Sequence, residues 1–247
     1  MSNAENPETF GRCPVESIVL AEAFRCLTEA LFPARCIGCQ RRGTTLCADC
    51  RAELPYLPAG ICQRCASIRS GGRACRGCRR LSPWIGSVRA SLAYEGAART
   101  AVLTLKFRSG RYLAPLMGEF LCQALERRPL QADVIVPVPL SPARLRQRGF
   151  NQAALLAEQV ARATGVSFMP QALSRRERPA QRRLAATERL LNVQNAFRCP
   201  QPAEVAGRHI LLVDDVVTTG ATVSACADTL AEAGARRISV LAFARDL

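Results

Sequence analysis

Lysine and histidine are almost missing from this 247-residue chain: each occurs once, as Lys106 and His209. The lysine sits in Leu105-Lys106-Phe107-Arg108, so the Gly-Lys-Ser/Thr phosphate loop of nucleotide hydrolases has no place in the sequence. The histidine is remote from every cysteine pair, so any metal site built on those pairs is all-cysteine. Runs of about 18 apolar residues are also lacking. The segment Val15–Leu31 is broken by Glu16, Glu22, Arg25 and Glu29, which argues against a membrane span or a secretory signal and predicts a cytoplasmic protein with no membrane insertion. Aromatic residues make up only 5%, with one Trp and three Tyr, which leaves little for stacking on nucleic-acid bases. Acids are absent between Leu54 and Tyr94, where Arg64, Arg69, Arg73, Arg76, Arg79, Arg80 and Arg89 fall. That one-signed stretch is either a solvated face or a surface for nucleic-acid phosphates.

What is present is enough for a packed core, since 49% of the residues are apolar. The formal net charge is +14, and 33 of the 34 cationic residues are arginine. Two zinc ions on eight thiolates would lower that charge by about 4, which still leaves a basic protein.

Eight of the 13 cysteines form four Cys-x-x-Cys pairs: Cys36/Cys39, Cys47/Cys50, Cys62/Cys65 and Cys75/Cys78. Two thiolates two residues apart can face one ion, and two such knuckles complete a tetrahedron, so the spacing predicts two structural zinc ions. A disulfide framework or an iron–sulfur cluster accounts less well for four knuckles in a chain without export signals. Hairpin-length spacers favour sequential pairing, Cys36/Cys39/Cys47/Cys50 and Cys62/Cys65/Cys75/Cys78, over interleaved pairing. Cys13, Cys26, Cys122, Cys199 and Cys226 stand alone and are read as small apolar residues.

Three regions succeed one another along the chain: a tail and amphipathic helix at 1–33, a metal-dependent ribbon at 34–82, and an α/β domain at 83–247. The helix is a stripe from Val15 to Leu31, stopped at Phe32-Pro33. The ribbon has too little apolar sequence for a core, so metal must replace it. In the large domain, alternation at Val88, Ala90, Leu92 and Tyr94 predicts a strand. Helices are expected over Ala97–Phe107, Tyr112–Arg127 and Asn151–Ala163, with buried strands at Val134–Val136, Ile210–Val213 and Ile238–Phe243. Strands alternating with helices imply a parallel, three-layer α/β sheet. The arginine-rich segment Arg175–Gln181 is expected to be a mobile loop, with a helix at Leu184–Leu191.

The chemistry concentrates in His209–Thr222. Ile210–Val213 reads as a strand buried on both faces, and Asp214 and Asp215 come at its carboxyl end, where open α/β sheets bind ligands. Thr218, Thr219, Gly220, Ala221 and Thr222 supply hydroxyls and a permissive turn ahead of a helix over Val223–Ala233, whose N-terminus favours an anion. Adjacent carboxylates can accept from two ribose hydroxyls while the loop holds a 5′-phosphate. An apolar strand ending in two acids also describes a magnesium-binding ATPase strand, but that reading needs the phosphate loop this chain lacks.

Val213-Asp214-Asp215-Val216-Val217-Thr218-Thr219-Gly220-Ala221-Thr222 resembles the phosphoribosyl-pyrophosphate (PRPP) signature of type I phosphoribosyltransferases. That resemblance implies PRPP or a ribose 5-phosphate nucleotide as ligand, with magnesium on the pyrophosphate. It assigns a second loop to the pyrophosphate, for which Val136-Pro137-Val138-Pro139-Leu140-Ser141 is the candidate. Pro139, Leu140 and Arg148 are then expected to bind PRPP beside Asp214 and Asp215.

The double ribbon, Leu105-Lys106-Phe107-Arg108, Pro137-Val138-Pro139-Leu140, Arg148-Gly149-Phe150-Asn151-Gln152, Gln181 with Arg189, Asn192 through Phe197, and the acidic signature together resemble the ComF family over residues 34–247. Membership implies a double zinc ribbon ahead of a phosphoribosyltransferase domain, and a role in uptake of single-stranded DNA during natural transformation. Single-stranded DNA and the competence DNA-translocation machinery are the implied partners. Two further functions stay open. One is an active transferase passing ribose 5-phosphate from PRPP to a nitrogenous acceptor, with Asp214 and Asp215 as its catalytic acids. The other is a regulator using a vestigial site.

Overall fold

The protein is described by a computed structural model over residues 34–68, 75–176 and 196–247. The helix expected before Pro33 and the one at Leu184–Leu191 lie outside the described residues. The chain divides into two compact units, Met1–Cys47 and Ala48–Leu247.

In the first unit a tight knuckle is built around Cys36. Its amide donates to the Arg41 carbonyl at 2.9 Å, and its own carbonyl accepts from the Gln40 amide at 2.9 Å. Gln40 takes a left-handed φ of 63°, which closes the turn. The same device recurs in the second unit. The Cys62 amide donates to Ser67 at 2.8 Å, the Cys62 carbonyl accepts from Ala66 at 2.9 Å, and Ala66 has φ 55°. Each knuckle therefore places its left-handed residue directly after the second cysteine of the pair.

The second unit opens with two short helices, α1 (Ala48–Ala52) and α2 (Arg76–Arg80). Its body is a five-stranded parallel sheet with strand order β1-β7-β6-β2-β3. β1 runs Ile85–Ala93, and an irregularity between Ile85 and Ser87 starts the strand earlier than the alternation from Val88 suggests. α3 (Gly96–Leu105), a 3-10 segment (Arg108–Leu113) and α4 (Ala114–Arg127) come next, with proline in the first turn of α4 fixing where it begins. β2 (Val134–Pro137) is buried throughout.

After β2 the chain forms α5 (Pro142–Arg148), α6 (Gln152–Thr164) and the two-residue β3 (Ser167–Phe168). α5 goes beyond the helices expected from periodicity, although its signals are ordinary: Ser141 caps it by accepting from the Arg144 amide, and Pro142 begins it. A separate antiparallel pair joins β4 (Ser174–Arg175) to β5 (Phe197–Arg198). Arg175 is thus held in a strand, which corrects the mobile-loop expectation at that residue; residues 177–181 of that loop lie outside the described residues. After α7 (Pro202–Val205), β6 (His209–Val217), α8 (Ala221–Glu232) and β7 (Arg237–Arg245) complete the unit.

β6 and β7 are longer than their apolar cores. β6 pairs with β7 from His209↔Arg237 to Val217↔Arg245, so Asp214 and Asp215 lie inside the strand and not beyond it. On its other side the ladder to β2 ends at Pro137↔Val213, succeeded by a 2.9 Å bond from the Val138 amide to the Val213 carbonyl. The acids therefore sit where β2 has peeled away and one edge of β6 is open. The core packs Leu212, Ile210, Val240 and Ile238 of these strands against Leu230 and Val223 of α8, all within 1% of complete burial.

Candidate functional site

A cavity of about 220 Å³ opens where β2 leaves β6. It brings together Asp214, Asp215, Thr218, Thr222, Pro139, Leu140 and Arg148, seven of the ten residues the sequence nominated. Thr219, Gly220 and Ala221 do not line it; they make the turn behind it. Gly220 has φ 87°, and a Cβ there would come within 2.5 Å of Leu81 Cδ2, so glycine serves both backbone and packing. The Thr219 hydroxyl accepts from the Ala221 amide at 3.4 Å, while Gly220 gives α8 no side-chain cap. The first turn of α8 thus keeps amide groups for an anion.

The two acids differ in surroundings. Asp214 accepts from the Asp215 amide at 2.8 Å and is buried, and that burial together with the Asp215 charge pushes its carboxyl well above the usual range. Asp215 Oδ2 is buried without a hydrogen bond and lies 3.5 Å from Lys106 Nζ. The single lysine of the chain thus faces the acid pair, which the sequence hinted at only by its rarity.

The opposite wall is rigid. Asn151 caps α6 by accepting from the Ala153 amide, and its side-chain amide donates to the Val138 carbonyl at 3.0 Å, pinning the Pro139-Leu140 turn. Arg148 donates to Gln152 Oε1 at 2.9 Å. Burial and the Arg144 charge lower the pKa of Arg148, and Asp215 opposes them. Arg144, Arg148 and Arg175 all line the cavity, so a cationic wall faces the acids, an arrangement for a ligand with both hydroxyls and phosphate oxygens.

The eight paired cysteines form two groups in sequential order, Cys36/Cys39/Cys47/Cys50 and Cys62/Cys65/Cys75/Cys78, with all sulfurs of each group within 4.8 Å of one another. Sulfurs are 3.7 Å apart for Cys36 and Cys47, 3.4 Å for Cys62 and Cys78 and 3.5 Å for Cys65 and Cys75. A zinc tetrahedron with bonds of about 2.3 Å has edges of about 3.8 Å, whereas a disulfide needs about 2.05 Å. The donor set fits zinc, and interleaved pairing is excluded. Burial resists ionisation of Cys62, but the amides of Cys65 and Arg64 and its thiol neighbours outweigh it and bring its pKa to about 6. Burial pushes Cys65 and Cys78 of the same group up, and it does the same to the lone thiols Cys122, Cys199 and Cys226. Cys13 and Cys26 lie outside the described residues.

Residues 27–79 match the double zinc ribbon domain family, and residues 151–246 match the phosphoribosyl transferase domain family. The chain is 35% identical to the DNA utilization protein YhgH of Salmonella typhi over 82% of its own length and 97% of that protein. The chain belongs to the ComF family. It is also 30% identical to competence protein F of Haemophilus influenzae, over 87% of this chain and 98% of that one. With competence protein ComFC of Bacillus subtilis it shares 33% identity, over 76% of this chain and 79% of that one.

In this ComF family member a further site residue, which the sequence did not nominate, is Arg245, 4% exposed at the end of β7. Its guanidinium donates to the carbonyls of Val217 and Thr218 and, at 2.7 Å, to Ser67 Oγ in the second ribbon. The one sequence signal for it is an arginine closing a strand that is otherwise apolar from Val240 to Ala244. Arg245 braces the turn from behind. Just past the matched ribbon Ser82 also holds α8, since its Oγ donates to Asp228 Oδ1 at 2.6 Å and its amide to Ser224 Oγ at 3.0 Å.

Arg245→Met is expected to leave the Thr218 carbonyl without this donor, while the Val217 carbonyl keeps the Asp246 amide. The cost should be about 2 kcal/mol. Tm should fall by about 4–8 °C, with faster amide hydrogen exchange at Val217–Thr222. Unchanged exchange in that turn would show that the brace is idle.

Proposed function

We propose that the cleft binds PRPP or a ribose 5-phosphate nucleotide, and that this cytoplasmic protein handles single-stranded DNA during natural transformation. The observation that carries the ligand reading is the open edge of β6, where an unsatisfied buried carboxylate oxygen of Asp215 faces Lys106 and the Arg144/Arg148 wall. In this reading residues 34–82 are the double zinc ribbon and 83–247 the phosphoribosyltransferase-like domain. Relatives named as competence and DNA utilization proteins support the cellular role. Among the described residues no helix is long and apolar enough to cross a membrane.

Asp214 and Asp215 accept from the ribose diol, which favours the ionised form of Asp214 although burial opposes it. Thr218, Thr222 and the first turn of α8 hold the 5′-phosphate. Pro139 and Leu140 shape the wall for the pyrophosphate, and Arg148 supplies charge-assisted hydrogen bonds to it. Asp214 and Asp215 would also hold magnesium, which would supply charge neutralisation to the pyrophosphate. If the protein also turns PRPP over, the same cationic wall stabilises leaving pyrophosphate. Calorimetry with PRPP and magnesium tests binding. Pyrophosphate release across a panel of bases, with Asp215→Asn as control, tests turnover.

For DNA, Arg76, Arg79 and Arg80 are exposed on and beside α2, while Arg73 lies outside the described residues. Reversing these four to Glu is expected to weaken binding of a labelled oligonucleotide and flatten its salt dependence, with PRPP affinity unchanged. Anisotropy at several salt concentrations checks it, and variants that bind like the parent mark the arginines as a solvated face.

A further inference from the structure

A second, larger cavity of about 640 Å³ lies between the Cys62 knuckle and the amino-terminal parts of β1 and β7, away from the carboxyl ends that form the acidic cleft. Arg64, Arg89, Arg128 and Arg237 line it with Ser87 and Ser239, and its lining includes no Asp or Glu. Among the described residues none of these four arginines makes a salt bridge.

Two of the guanidinium groups are fixed in place by backbone carbonyls. Arg64 Nε donates to Ile85 at 3.3 Å and its Nη2 to Ser82 at 3.4 Å. Arg89 Nη1 donates to Gln63 at 3.0 Å and to Val88 at 3.1 Å, while its Nε is buried without any partner. Gly86 makes room for Arg237, whose Nε would be 3.2 Å from a Cβ at that position. Burial and the neighbouring Arg128 charge both depress the pKa of Arg89. Four like charges gathered on a partly buried wall repel one another, and an oxyanion relieves that repulsion while satisfying the spare N–H groups.

We propose that this cavity is a second oxyanion site that takes a phosphate group, its occupant being a backbone phosphate of single-stranded nucleic acid. The choice of occupant rests on the DNA-handling reading above. The planar forks of arginine match phosphate oxygens, and Ser239, which accepts from Ser87 Oγ at 3.5 Å, keeps its own hydroxyl proton to donate. The lining has neither an aromatic ring to stack a base nor a carboxylate to read ribose hydroxyls, in contrast to the acidic cleft. The four arginines therefore give this cavity its match to phosphate, the part of a nucleotide that is the same whatever the sequence.

Arg128→Glu/Arg237→Glu in the full, zinc-loaded chain tests the site, with Arg128→Ala/Arg237→Ala as the milder variant should charge reversal disturb folding. Melting and zinc content verify each protein. The probes are a labelled oligothymidylate, monitored by anisotropy at several salt concentrations, and inorganic pyrophosphate without magnesium, monitored by calorimetry. Oligothymidylate affinity is expected to fall at least about tenfold and the salt slope to lose about 1.4, the share of two phosphate contacts, with PRPP affinity retained. Loss of pyrophosphate binding with unchanged oligothymidylate binding would keep the oxyanion site but overturn its nucleic-acid occupant. A parent that binds no oligothymidylate at low salt, with pyrophosphate binding that weakens in the variants, would reject the DNA-handling reading while supporting the site. Folded variants that bind both probes like the parent would overturn the proposal.

Discussion

Asp214→Asn/Asp215→Asn is expected to lower PRPP affinity by at least about a hundredfold, which calorimetry with magnesium would measure. Charge-assisted hydrogen bonds contribute about 1.5–3 kcal/mol each, and in the proposed complex the pair accepts from neighbouring hydroxyls of one ribose. The effect on stability has the opposite sign. Burial and the Asp215 charge raise the Asp214 pKa in the folded protein, so ionising it costs folding free energy as pH rises from the ordinary carboxylate range through that raised value. Asparagine removes this cost and keeps an oxygen for the Asp215 amide. Lys106 loses its partner but is 27% exposed, so water can solvate it. At neutral pH the double variant should therefore melt no lower than the parent. A folded variant with parental PRPP affinity would reject the ligand assignment, and a large drop in Tm would reject the account of the buried charge.

Removing zinc is expected to have the second large effect. Structural zinc contributes on the order of 10–16 kcal/mol in small zinc domains, comparable to the whole stability of an ordinary domain. Metal analysis is expected to find two zinc ions per chain. Cys65→Ser should cost one of them, because Cys65 is fully buried in the second group. The damage should not stop at the ribbon. Leu81 packs on Gly220, Ser82 bonds to Ser224 and Asp228, and Ser67 accepts from Arg245, so the turn before α8 is shaped by residues of the second ribbon and those just after it. PRPP affinity should fall in Cys65→Ser even though no residue of the proposed PRPP site has changed. Undamaged protein with almost no zinc, or with iron and a cluster absorption band, would eliminate the metal assignment. Intact PRPP affinity in the zinc-deficient variant would separate the two sites.

Motifs whose partners are close in the chain are legible in the sequence itself. Cys-x-x-Cys spacing determines which sulfurs can share an ion, because a tight turn leaves two side chains little choice of direction. The acid pair and its small-residue turn are equally plain, since four apolar residues mark a buried strand and the polar residues after them must lie near its carboxyl end. Alternating strands and helices likewise require a parallel sheet.

Strand length is not legible, because the ladder of β6 past Asp214 depends on β7, a partner across the fold, and not on local apolarity. The same holds for Arg245, whose sequence neighbours describe only the end of a strand. That it braces the carbonyls of Val217 and Thr218 results from two strands lying side by side. The arginine-lined cavity makes the point most fully. Arg64 and Arg89 belong to the acid-free stretch before Tyr94, but Arg128 and Arg237 lie far from it in the sequence, and no motif joins the four. The sheet and the ribbon gather them, because burial of apolar strands fixes the backbone and the charged side chains must go where that packing leaves them.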